Sequence, residues 1–222
     1  MSFLEQALEA IRRTKPRNVV FFTGAGVSAE SGIPTFRGAG GLWRNFRAED
    51  LATPAAFARD PELVLEWYEW RRGLIRAAEP NAAHQAIARM ADAVVVTQNV
   101  DGLHARAGSR NVIELHGNIF RERPSGAHMR PDVVWFGEML PADALERASD
   151  AIRNADLLLV IGTSGLVYPA AGLVSLHRYS NKGLSIEINP QASGVSSACT
   201  FAIPMTAAIA TPPIVDAILE DE

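Results

Sequence analysis

Five short, uninterrupted apolar runs do most to limit what this chain can fold into. Runs of this length are typical of parallel strands that are buried on both faces of a sheet. They cover residues 18–22, 93–97, 112–115, 156–161 and 184–188, and helical patterns cover residues 81–90, 141–154 and 169–179. The alternation predicts an α/β fold with a doubly wound, Rossmann-like parallel sheet. In such a sheet, ligands bind beyond the carboxyl ends of the strands.

The domain organisation follows from length and from one interruption of this rhythm. The 222 residues fit one domain, residues 1–222. Residues 38–80 contain helical patterns but no good strand. We interpret them as a small helical insertion beside the sheet, forming a lid. Residues 121–130 are expected to form a loop.

Composition restricts the partners and the compartment. A net charge of −4 gives no sign of a surface for nucleic acid or anionic membranes. No apolar run is long enough to span a bilayer. The one cysteine, Cys199, excludes an intramolecular disulfide and a multi-cysteine metal site within one chain. We expect a cytoplasmic protein with no nucleic-acid or membrane partner, and we expect a monomer.

A glycine-containing segment follows the first apolar run. Its sequence, Thr-Gly-Ala-Gly-Val-Ser-Ala, fits a pattern in which glycines allow a tight turn beside a pyrophosphate, with a helix N-terminus behind it. Gly24, Ala25, Gly26 and Ser28 are therefore candidate contacts for a nucleotide. An ordinary glycine-containing turn between a strand and a helix has the same appearance.

The residues after this segment argue against hydride transfer. A dehydrogenase of this fold has an acidic residue about 20 positions further on, after a second strand. Glu49 and Asp50 lie at roughly that distance, but no apolar strand precedes them. The chain has instead a loop with Phe36 and Arg37, which is suited to fold over a bound nucleotide.

Three further strand ends carry polar side chains or glycine. Amides and hydroxyls there can hold a ribose or a nicotinamide amide, and a histidine can act as a general base near neutral pH. Two alternatives remain open, since an aspartate can cap the next helix and a single histidine is often structural. The candidates are Gln98, Asn99 and Asp101 after the second run, His116 after the third, and Gly162, Thr163 and Ser164 after the fourth.

Taken together, these segments resemble the sirtuins, a family of NAD-dependent protein deacylases. The matching segments run in family order across most of the chain, and the first of them is highly specific. They are GAGVSAESGIPTFR (24–37), TQNVD (97–101), LHG (115–117), VVWFGE (133–138), GTS with VYPAAGL (162–173) and EINP (187–190).

The resemblance implies that NAD is consumed as a co-substrate. Asp101 would hold the nicotinamide carboxamide, and Asn99 and His116 would be the catalytic residues. The acyl-lysine oxygen would attack the ribose carbon as nicotinamide leaves, and His116 would then act as general base on a ribose hydroxyl. The products would be free lysine, nicotinamide and O-acyl-ADP-ribose.

The resemblance also assigns the remaining contacts. Phe36 would shield the reactive face and Arg37 would order the cofactor loop. Gln98, Ser164 and Asn189 would contact the riboses. An acylated protein or peptide would bind as an extended strand between residues 135–138 and 165–168. Its predicted contacts on the first side are Val134, Trp135, Phe136, Gly137 and Glu138.

A pair of residues in the helical insertion indicates a subclass. Tyr68 and Arg71 are three apart and share one face of a helix. A phenol beside a guanidinium can bind a carboxylate strongly. Sirtuins with this pair and a small residue at the position of Ala39 prefer succinyl-, malonyl- or glutaryl-lysine, and deacetylation remains possible. The alternative is a surface helix with Trp67 and Trp70 in the core and a solvated Arg71.

The chain departs from the family in the interval before residues 133–138. Sirtuins usually have a zinc module there, held by two Cys-x-x-Cys pairs. Here residues 124–129 contain no cysteine, and His128 alone cannot replace four ligands. We therefore expect no zinc and a short linker in place of the module. Gly165 is a smaller departure, because a residue with a side chain is usual at that position.

This departure leaves two alternatives to a working deacylase. One is an NAD-binding protein with reduced or lost turnover. The other is protein ADP-ribosyl transfer or NAD hydrolysis at the same site.

Overall fold

A six-stranded parallel sheet forms the centre of the protein. The computed structural model describes residues 1–35, 46–166, 169–180 and 183–220. Its strands are β1 (Val19–Thr23), β2 (Val94–Thr97), β3 (Asn111–Glu114), β4 (Gly117–Ser125), β5 (His128–Val133), β6 (Leu157–Ile161), β7 (Leu184–Ile188) and β8 (Phe201–Ile203). The sheet order is β3-β2-β1-β6-β7-β8, and every pair in it is parallel. The predicted doubly wound, Rossmann-like fold is confirmed.

Helices cover both faces of this sheet. They are α1 (Phe3–Thr14), α2 (Ala48–Leu51), α3 (Pro54–Arg59), α4 (Pro61–Ala77), α5 (Ala82–Ala88), α6 (Leu103–Ala107), α7 (Ala142–Arg153), α8 (Ala170–Ser180) and α9 (Ala207–Leu219). Buried side chains of α1, α5 and α9 form the core on one face. Those of α7 and α8 form the core on the other face. No helix in the described ranges is long and apolar enough to cross a membrane.

The register of the strands brings their carboxyl ends to one edge. Thr23 of β1 pairs with Thr97 on one side and with Ile161 on the other. Thr97 pairs in turn with Glu114, and Ile161 pairs with Ile188. Because five strands end at the same level, the polar residues that follow them are gathered along one line.

All five predicted strands are present, with bounds shifted by at most one residue. The helices α6 and α9 and the strand β8 were not predicted. Both α6 and β8 are too short to show a periodic pattern, with five and three residues. The sequence of α9 is apolar almost all round and contains Pro212 and Pro213, so it lacks the alternation between apolar and polar faces that reveals a helix.

The loop predicted at residues 121–130 is wrong, because β4 and β5 form an antiparallel hairpin there. Gly126 and Ala127 make a two-residue turn, and Gly126 has a φ of 60°. A type II′ turn needs positive φ at its first central position, where glycine is favoured. Pro124 and Pro131 argued against strands in the sequence, because proline lacks an N–H to donate. It is tolerated at strand edges, such as those of this hairpin.

The helical insertion packs against this hairpin. Trp67 and Tyr68 of α4 share a buried cluster with Ile119 of β4 and with Trp135, which follows β5. Arg72 Nε donates a hydrogen bond to the carbonyl of Ile119 at 2.7 Å. The hairpin therefore braces α4 across the interval where we expected only a short linker.

Candidate active site

The glycine segment after β1 is tied to the end of β6. It forms a 3₁₀ helix, Ala25–Ser31, and not the α-helix that its pattern predicts. The N–H of Gly24 donates to the carbonyl of Ile161 at 3.0 Å, and that of Gly26 donates to Gly162 at 2.8 Å. These two N–H groups are therefore paired within the protein.

Close packing of two backbones explains the glycines of this segment. A Cβ on Gly26 would lie 2.7 Å from the Cα of Gly162. A Cβ on Gly162 would lie 2.4 Å from the backbone nitrogen of Val27, and Gly162 also has a φ of 60°. Side chains at either position would push the segments apart. The loop after β1 and the loop after β6 therefore make one continuous backbone surface at the sheet edge.

Ser28 connects this surface to the residues after β2. Its hydroxyl donates to Asp101 Oδ2 at 2.8 Å and accepts from Asn99 Nδ2 at 3.1 Å. Burial raises the pKa of Asp101, and hydrogen bonds from the Leu103 N–H and from Ser28 oppose this shift. The Leu103 N–H contact, at 2.9 Å, lies at the start of α6. Asp101 therefore accepts hydrogen bonds from the first residue of α6 and from Ser28, while the residue at the N-cap of α6 is Gly102.

Two histidines that no sequence motif singles out, His84 and His104, lie next to each other, and His84 contacts Ser28. The rings of His84 and His104 are 4.8 Å apart between centroids. His84 Nδ1 accepts a hydrogen bond from the Asn81 N–H at 3.3 Å, so in the neutral ring Nε2 carries the hydrogen. Nε2 lies 3.4 Å from the Ser28 hydroxyl and therefore donates to it. Ser28 is thus fixed from three sides.

His104 extends this buried group to the ends of β1 and β2. Its Nε2 lies 3.0 Å from the hydroxyl of Thr23, which donates to Thr97 at 2.9 Å. Burial lowers the pKa of His84 to about 4 and that of His104 to about 3, so both rings are neutral at pH 7. The layer beneath Ser28 and Asp101 therefore carries no positive charge.

The hydrogen bond of His116 fixes its tautomer. Its Nδ1 lies 2.8 Å from the carbonyl oxygen of Gln98, which can only accept, so Nδ1 carries the hydrogen. In the neutral ring, Nε2 then keeps its lone pair. Burial lowers the pKa of His116, although the bond to Gln98 opposes this. His116 is therefore a neutral base at physiological pH, with Nε2 as its basic atom.

Polar groups continue along the edge toward β7. Gln98 Nε2 donates to the hydroxyl of Thr163 at 3.0 Å, and Asn189 Nδ2 donates to the carbonyl of Thr163 at 2.9 Å. Ser164, which comes next, is half-buried. Gly165 has a φ of 64°, and a Cβ there would lie 2.7 Å from Val195, so packing requires glycine at this departure from the family pattern.

The predicted pair in the helical insertion lies on α4. Tyr68 is buried, and its oxygen accepts a hydrogen bond from the indole N–H of Trp135 at 2.7 Å. Burial raises the pKa of Tyr68 to about 12. Arg71 is half-buried, with its guanidinium 5.1 Å from the centre of the Trp67 ring. Burial lowers the pKa of Arg71, and the charges of Tyr68 and Asp101 oppose this shift.

The segment after β5 links the helical insertion, at the end of α2, to His116 at the sheet edge. The Val134 N–H donates to the carbonyl of His116 at 2.9 Å, and the Phe136 N–H donates to Ala52 at 2.9 Å. Residues 135–138 form a turn, closed by a hydrogen bond from the Glu138 N–H to the carbonyl of Trp135. Gly137 has a φ of 87° within this turn. Phe36, Arg37, Ala39 and residues 167–168 lie outside the described residues.

Comparison with known proteins assigns the family. The Sir2 family model matches residues 24–129 and 121–169. An NAD-dependent protein deacylase of Aquifex aeolicus (strain VF5) is 48% identical over 206 residues, which cover 81% of this chain and 86% of that protein. The chain belongs to the Sir2 family.

Solved structures of Sir2 homologues share the whole fold. One, a complex of a Sir2 homologue with NAD, is 42% identical, has a TM-score of 0.87 and covers 97% of this chain and 94% of its own. Another, a mutant Sir2 homologue with 2′-O-acetyl ADP ribose, is 41% identical, with a TM-score of 0.88 and coverages of 97% and 96%. At these coverages the likeness extends over almost the whole chain.

This Sir2 chain has a hairpin where the zinc module of the family is usual. Within the described part of the chain, no group of three or more His, Cys, Asp or Glu side chains is arranged to hold a metal ion. Cys199 lies at the end of the second 3₁₀ helix, Ser196–Ala198, far along the chain from the hairpin. The interval is thus filled by backbone pairing between β4 and β5.

Proposed function

We propose that this protein is an NAD-dependent protein-lysine deacylase, which transfers the acyl group of a modified lysine to ADP-ribose. One observation supports this most. The hydrogen bond between His116 and Gln98 leaves a basic imidazole nitrogen at the sheet edge that also holds Ser28, Asn99 and Asp101. Membership of the Sir2 family, whose relatives are named NAD-dependent protein deacylases, supports the same activity.

The sheet edge has the chemistry that NAD requires. NAD supplies an electrophilic ribose carbon with nicotinamide as its leaving group, and it is consumed. Three of the six residues that form the backbone surface of residues 24–28 and 162, namely Gly24, Gly26 and Gly162, have no side chain, and glycine allows a backbone to approach a pyrophosphate closely. Asp101 and Asn99 can bond the two halves of a carboxamide, since a carboxylate accepts and an amide both donates and accepts. We assign the nicotinamide end to these two residues.

His116 acts as the general base in this proposal. Its neutral ring accepts a proton at Nε2 from a ribose hydroxyl, while the Gln98 carbonyl stabilises the imidazolium through Nδ1–H. Asn99 orients the reacting ribose beside Ser28. A base with a lowered pKa is unprotonated at pH 7 and is therefore available for every turnover.

The riboses and the loop over the cofactor involve residues on either side of this base. Gln98, Thr163, Ser164 and Asn189 present amides and hydroxyls along the edge, and we assign the ribose contacts to them. We keep Phe36 as the shield of the reactive face and Arg37 as the residue that orders the loop.

The acyl group enters between α4 and the hairpin. A negatively charged acyl chain, such as succinyl or malonyl, can accept hydrogen bonds from the protonated phenol of Tyr68 and from the guanidinium of Arg71. Asp101 opposes the lowering of the Arg71 pKa, so Arg71 lies near the residues to which we assign the nicotinamide end. Ala39 would line the same pocket, and residues 134–138 would pair with the peptide. Deacetylation is retained, because the pocket also accommodates a shorter acyl chain.

Mass spectrometry of acetyl- and succinyl-lysine peptides, with and without NAD, tests this function. We expect NAD-dependent loss of the acyl group, with nicotinamide and O-acyl-ADP-ribose appearing in equal amounts. The matched control is His116→Ala, which should form no O-acyl-ADP-ribose and should release at most one nicotinamide per protein molecule, because nicotinamide leaves before His116 acts. Unchanged peptides in the presence of NAD would contradict the proposal.

The same assay separates the alternatives. Nicotinamide release without deacylation would indicate NAD hydrolysis or ADP-ribosyl transfer. Binding of NAD in isothermal titration, without nicotinamide release, would indicate an NAD-binding protein that has lost turnover.

The remaining expectations concern organisation and setting. We propose one catalytic domain, residues 1–222, in which residues 38–80 form the lid and acyl pocket. We also propose a cytoplasmic monomer that acts on acylated proteins and requires no zinc. Size-exclusion chromatography with light scattering and metal analysis test the last two points.

A further inference from the structure

Two charged residues hold Trp135: Arg130 contacts its ring, and Glu138 binds its backbone. The guanidinium of Arg130 lies 3.6 Å from the centre of the Trp135 ring, well within the range of about 6 Å at which a cation is attracted to an aromatic face. Arg130 Nη2 donates to Glu138 Oε1 at 2.6 Å. Glu138 Oε2 accepts from the backbone N–H of Trp135 at 2.9 Å. One carboxylate thus fixes both the backbone of Trp135 and the cation on its ring.

The position of Arg130 is costly for a residue that serves stability alone. Its side chain is 4% exposed. Among the described residues, its Nη1 has no hydrogen-bond partner. A buried guanidinium with an unsatisfied donor loses more hydration than its partners return. Stability alone would be served as well by an apolar side chain on Trp135, so the cation calls for another explanation.

The indole of Trp135 determines which hydrogen bond Tyr68 can offer. An indole N–H is a donor only, so in the 2.7 Å contact the phenol oxygen of Tyr68 must accept. The phenol hydrogen is then left for another acceptor. Burial keeps this phenol protonated, since its pKa is raised to about 12. Tyr68 is therefore set as a hydrogen-bond donor, as an acyl carboxylate requires.

We propose that Arg130 is a positioning residue for acyl selectivity, which holds Trp135 in place and thereby directs the phenol O–H of Tyr68 toward the acyl chain. The inference rests on the proposed deacylase function and on an acyl pocket at Tyr68. It assigns to the hairpin a part in substrate choice, because Arg130 belongs to β5. Arg130 touches neither substrate directly and acts through Trp135.

The test compares Arg130→Met with wild type on matched acetyl- and succinyl-lysine peptides. Methionine keeps the length and apolar contact but removes the cation and the hydrogen bond to Glu138. We expect kcat/KM for the succinyl peptide to fall about tenfold, as when one charge-assisted hydrogen bond is lost. The value for the acetyl peptide and the KM for NAD should change less than about twofold.

A matched control is Arg121→Met on the same hairpin. Arg121 is about half exposed and pairs with Glu114 and Asp132, away from Trp135. It should leave the ratio of succinyl to acetyl activity unchanged. Equal losses on both peptides for Arg130→Met would overturn the proposal, because that result indicates a structural role only.

A double-mutant cycle with Tyr68→Phe tests the route through the phenol. Once the phenol is gone, Arg130→Met should produce no further change in the ratio of succinyl to acetyl activity. A full further loss in the Tyr68→Phe background would overturn the proposal. If Arg130→Met does not fold, Trp135→Phe is tested in its place. This variant keeps an aromatic ring at position 135 but removes the indole N–H donor. The same selective loss is expected from it, and an unchanged ratio would overturn the proposal.

Peptide affinity separates this proposal from the proposed function. If wild type deacylates neither peptide, the deacylase function fails, but fluorescence anisotropy of labelled peptides still measures the preference of the pocket. A succinyl preference in wild type that Arg130→Met abolishes supports the positioning role. Equal wild-type affinity for both peptides, or binding of neither, overturns it.

Discussion

The two sides of the site are held together by different forces. The sheet edge, by which we mean the residues that follow β1, β2, β3, β6 and β7, is fixed by close backbone contact and by hydrogen bonds that are mostly between uncharged groups. Gly26 and Gly162 pack backbone to backbone, and His84 supports Ser28 without a charge. The hairpin–helix unit, which consists of α4, β4, β5 and the turn 135–138, is fixed by aromatic rings and ion pairs. Arg130 on Trp135 is its clearest example.

This difference matches what each side does in the proposed reaction. The sheet edge must bind a large nucleotide identically in every turnover, and close packing allows few alternative positions. The hairpin–helix unit must distinguish acyl chains, and charged groups discriminate strongly between a carboxylate and a methyl group. We therefore expect catalysis and stability to depend on the sheet edge more than on the hairpin–helix unit.

Removal of the proposed base should have the largest effect. His116→Ala should lower kcat about a thousandfold, which corresponds to about 4 kcal/mol, because no other described group offers a basic nitrogen beside Gln98. The affinity for NAD should change only a few-fold. Nicotinamide release and isothermal titration measure the two quantities. A loss of less than about tenfold in kcat would show that the base lies elsewhere.

Glycine replacements should act in opposite directions on the two sides. Gly162→Ala should reduce the free energy of unfolding by about 3 kcal/mol and weaken NAD binding, because its Cβ would overlap the backbone of Val27 at a positive φ. Gly73→Ala is the matched control in α4, where nothing lies within 4 Å of the added Cβ. It should raise stability by about 0.5 to 1 kcal/mol. Urea unfolding measures both, and equal effects would remove the contrast in packing.

The buried histidines should make the sheet edge sensitive to acid. His84 has a folded-state pKa of about 4, below its ordinary value, so between pH 6.5 and pH 4 the unfolded chain binds the extra proton. Stability is therefore lost as pH falls through this window, by about 2 kcal/mol for His84 at pH 4.5. Urea unfolding at pH 7.5 and 4.5 should show a smaller loss for His84→Gln than for wild type. An identical loss in both would exclude His84 as the cause.

Arginines of α4 should have the smallest effects. Arg72→Met removes the hydrogen bond to the Ile119 carbonyl and should cost about 1 kcal/mol. Arg76→Met removes an exposed ion pair with Glu69 and should cost less than about 0.5 kcal/mol. Thermal unfolding of the two variants compares them. A larger effect for Arg76, whose guanidinium also lies over the ring of Phe120, would show that the hydrogen bond to Ile119 is not the main contact that holds the helix.

The strands of the parallel sheet could be predicted from the sequence, whereas those of the hairpin could not. The continuous apolar runs and their spacing gave all five predicted strands, because burial on both faces of a parallel sheet leaves a strong local signal. The short strand β8 and the helix α9 gave weaker signals. The hairpin gave none, since its prolines and charges read as a loop, and its stability comes from contact with α4.

The residues that carry the proposed chemistry could be selected from the sequence, but the residues that support them could not. Segments such as Gly24–Gly26 and TQNVD have recognisable spacing, which led us to select Ser28, Asn99, Asp101 and His116. The structure joins the first three by hydrogen bonds and places His116 against Gln98. The hydrogen bonds from His84 to Ser28 and from Trp135 to Tyr68 were not predicted, because each connects residues that are more than 50 positions apart. Nothing local in the sequence encodes such a contact.

The sequence by itself determined the family, the parallel sheet and the line of polar residues at its edge. Those properties depend on residue type and on spacing along the chain, which the sequence displays directly. Only the tertiary structure decided which atom of His116 is basic, which way Tyr68 donates and why Gly162 must be glycine. These depend on single contacts between distant segments, and a hydrogen bond or an overlap exists only once the chain has folded.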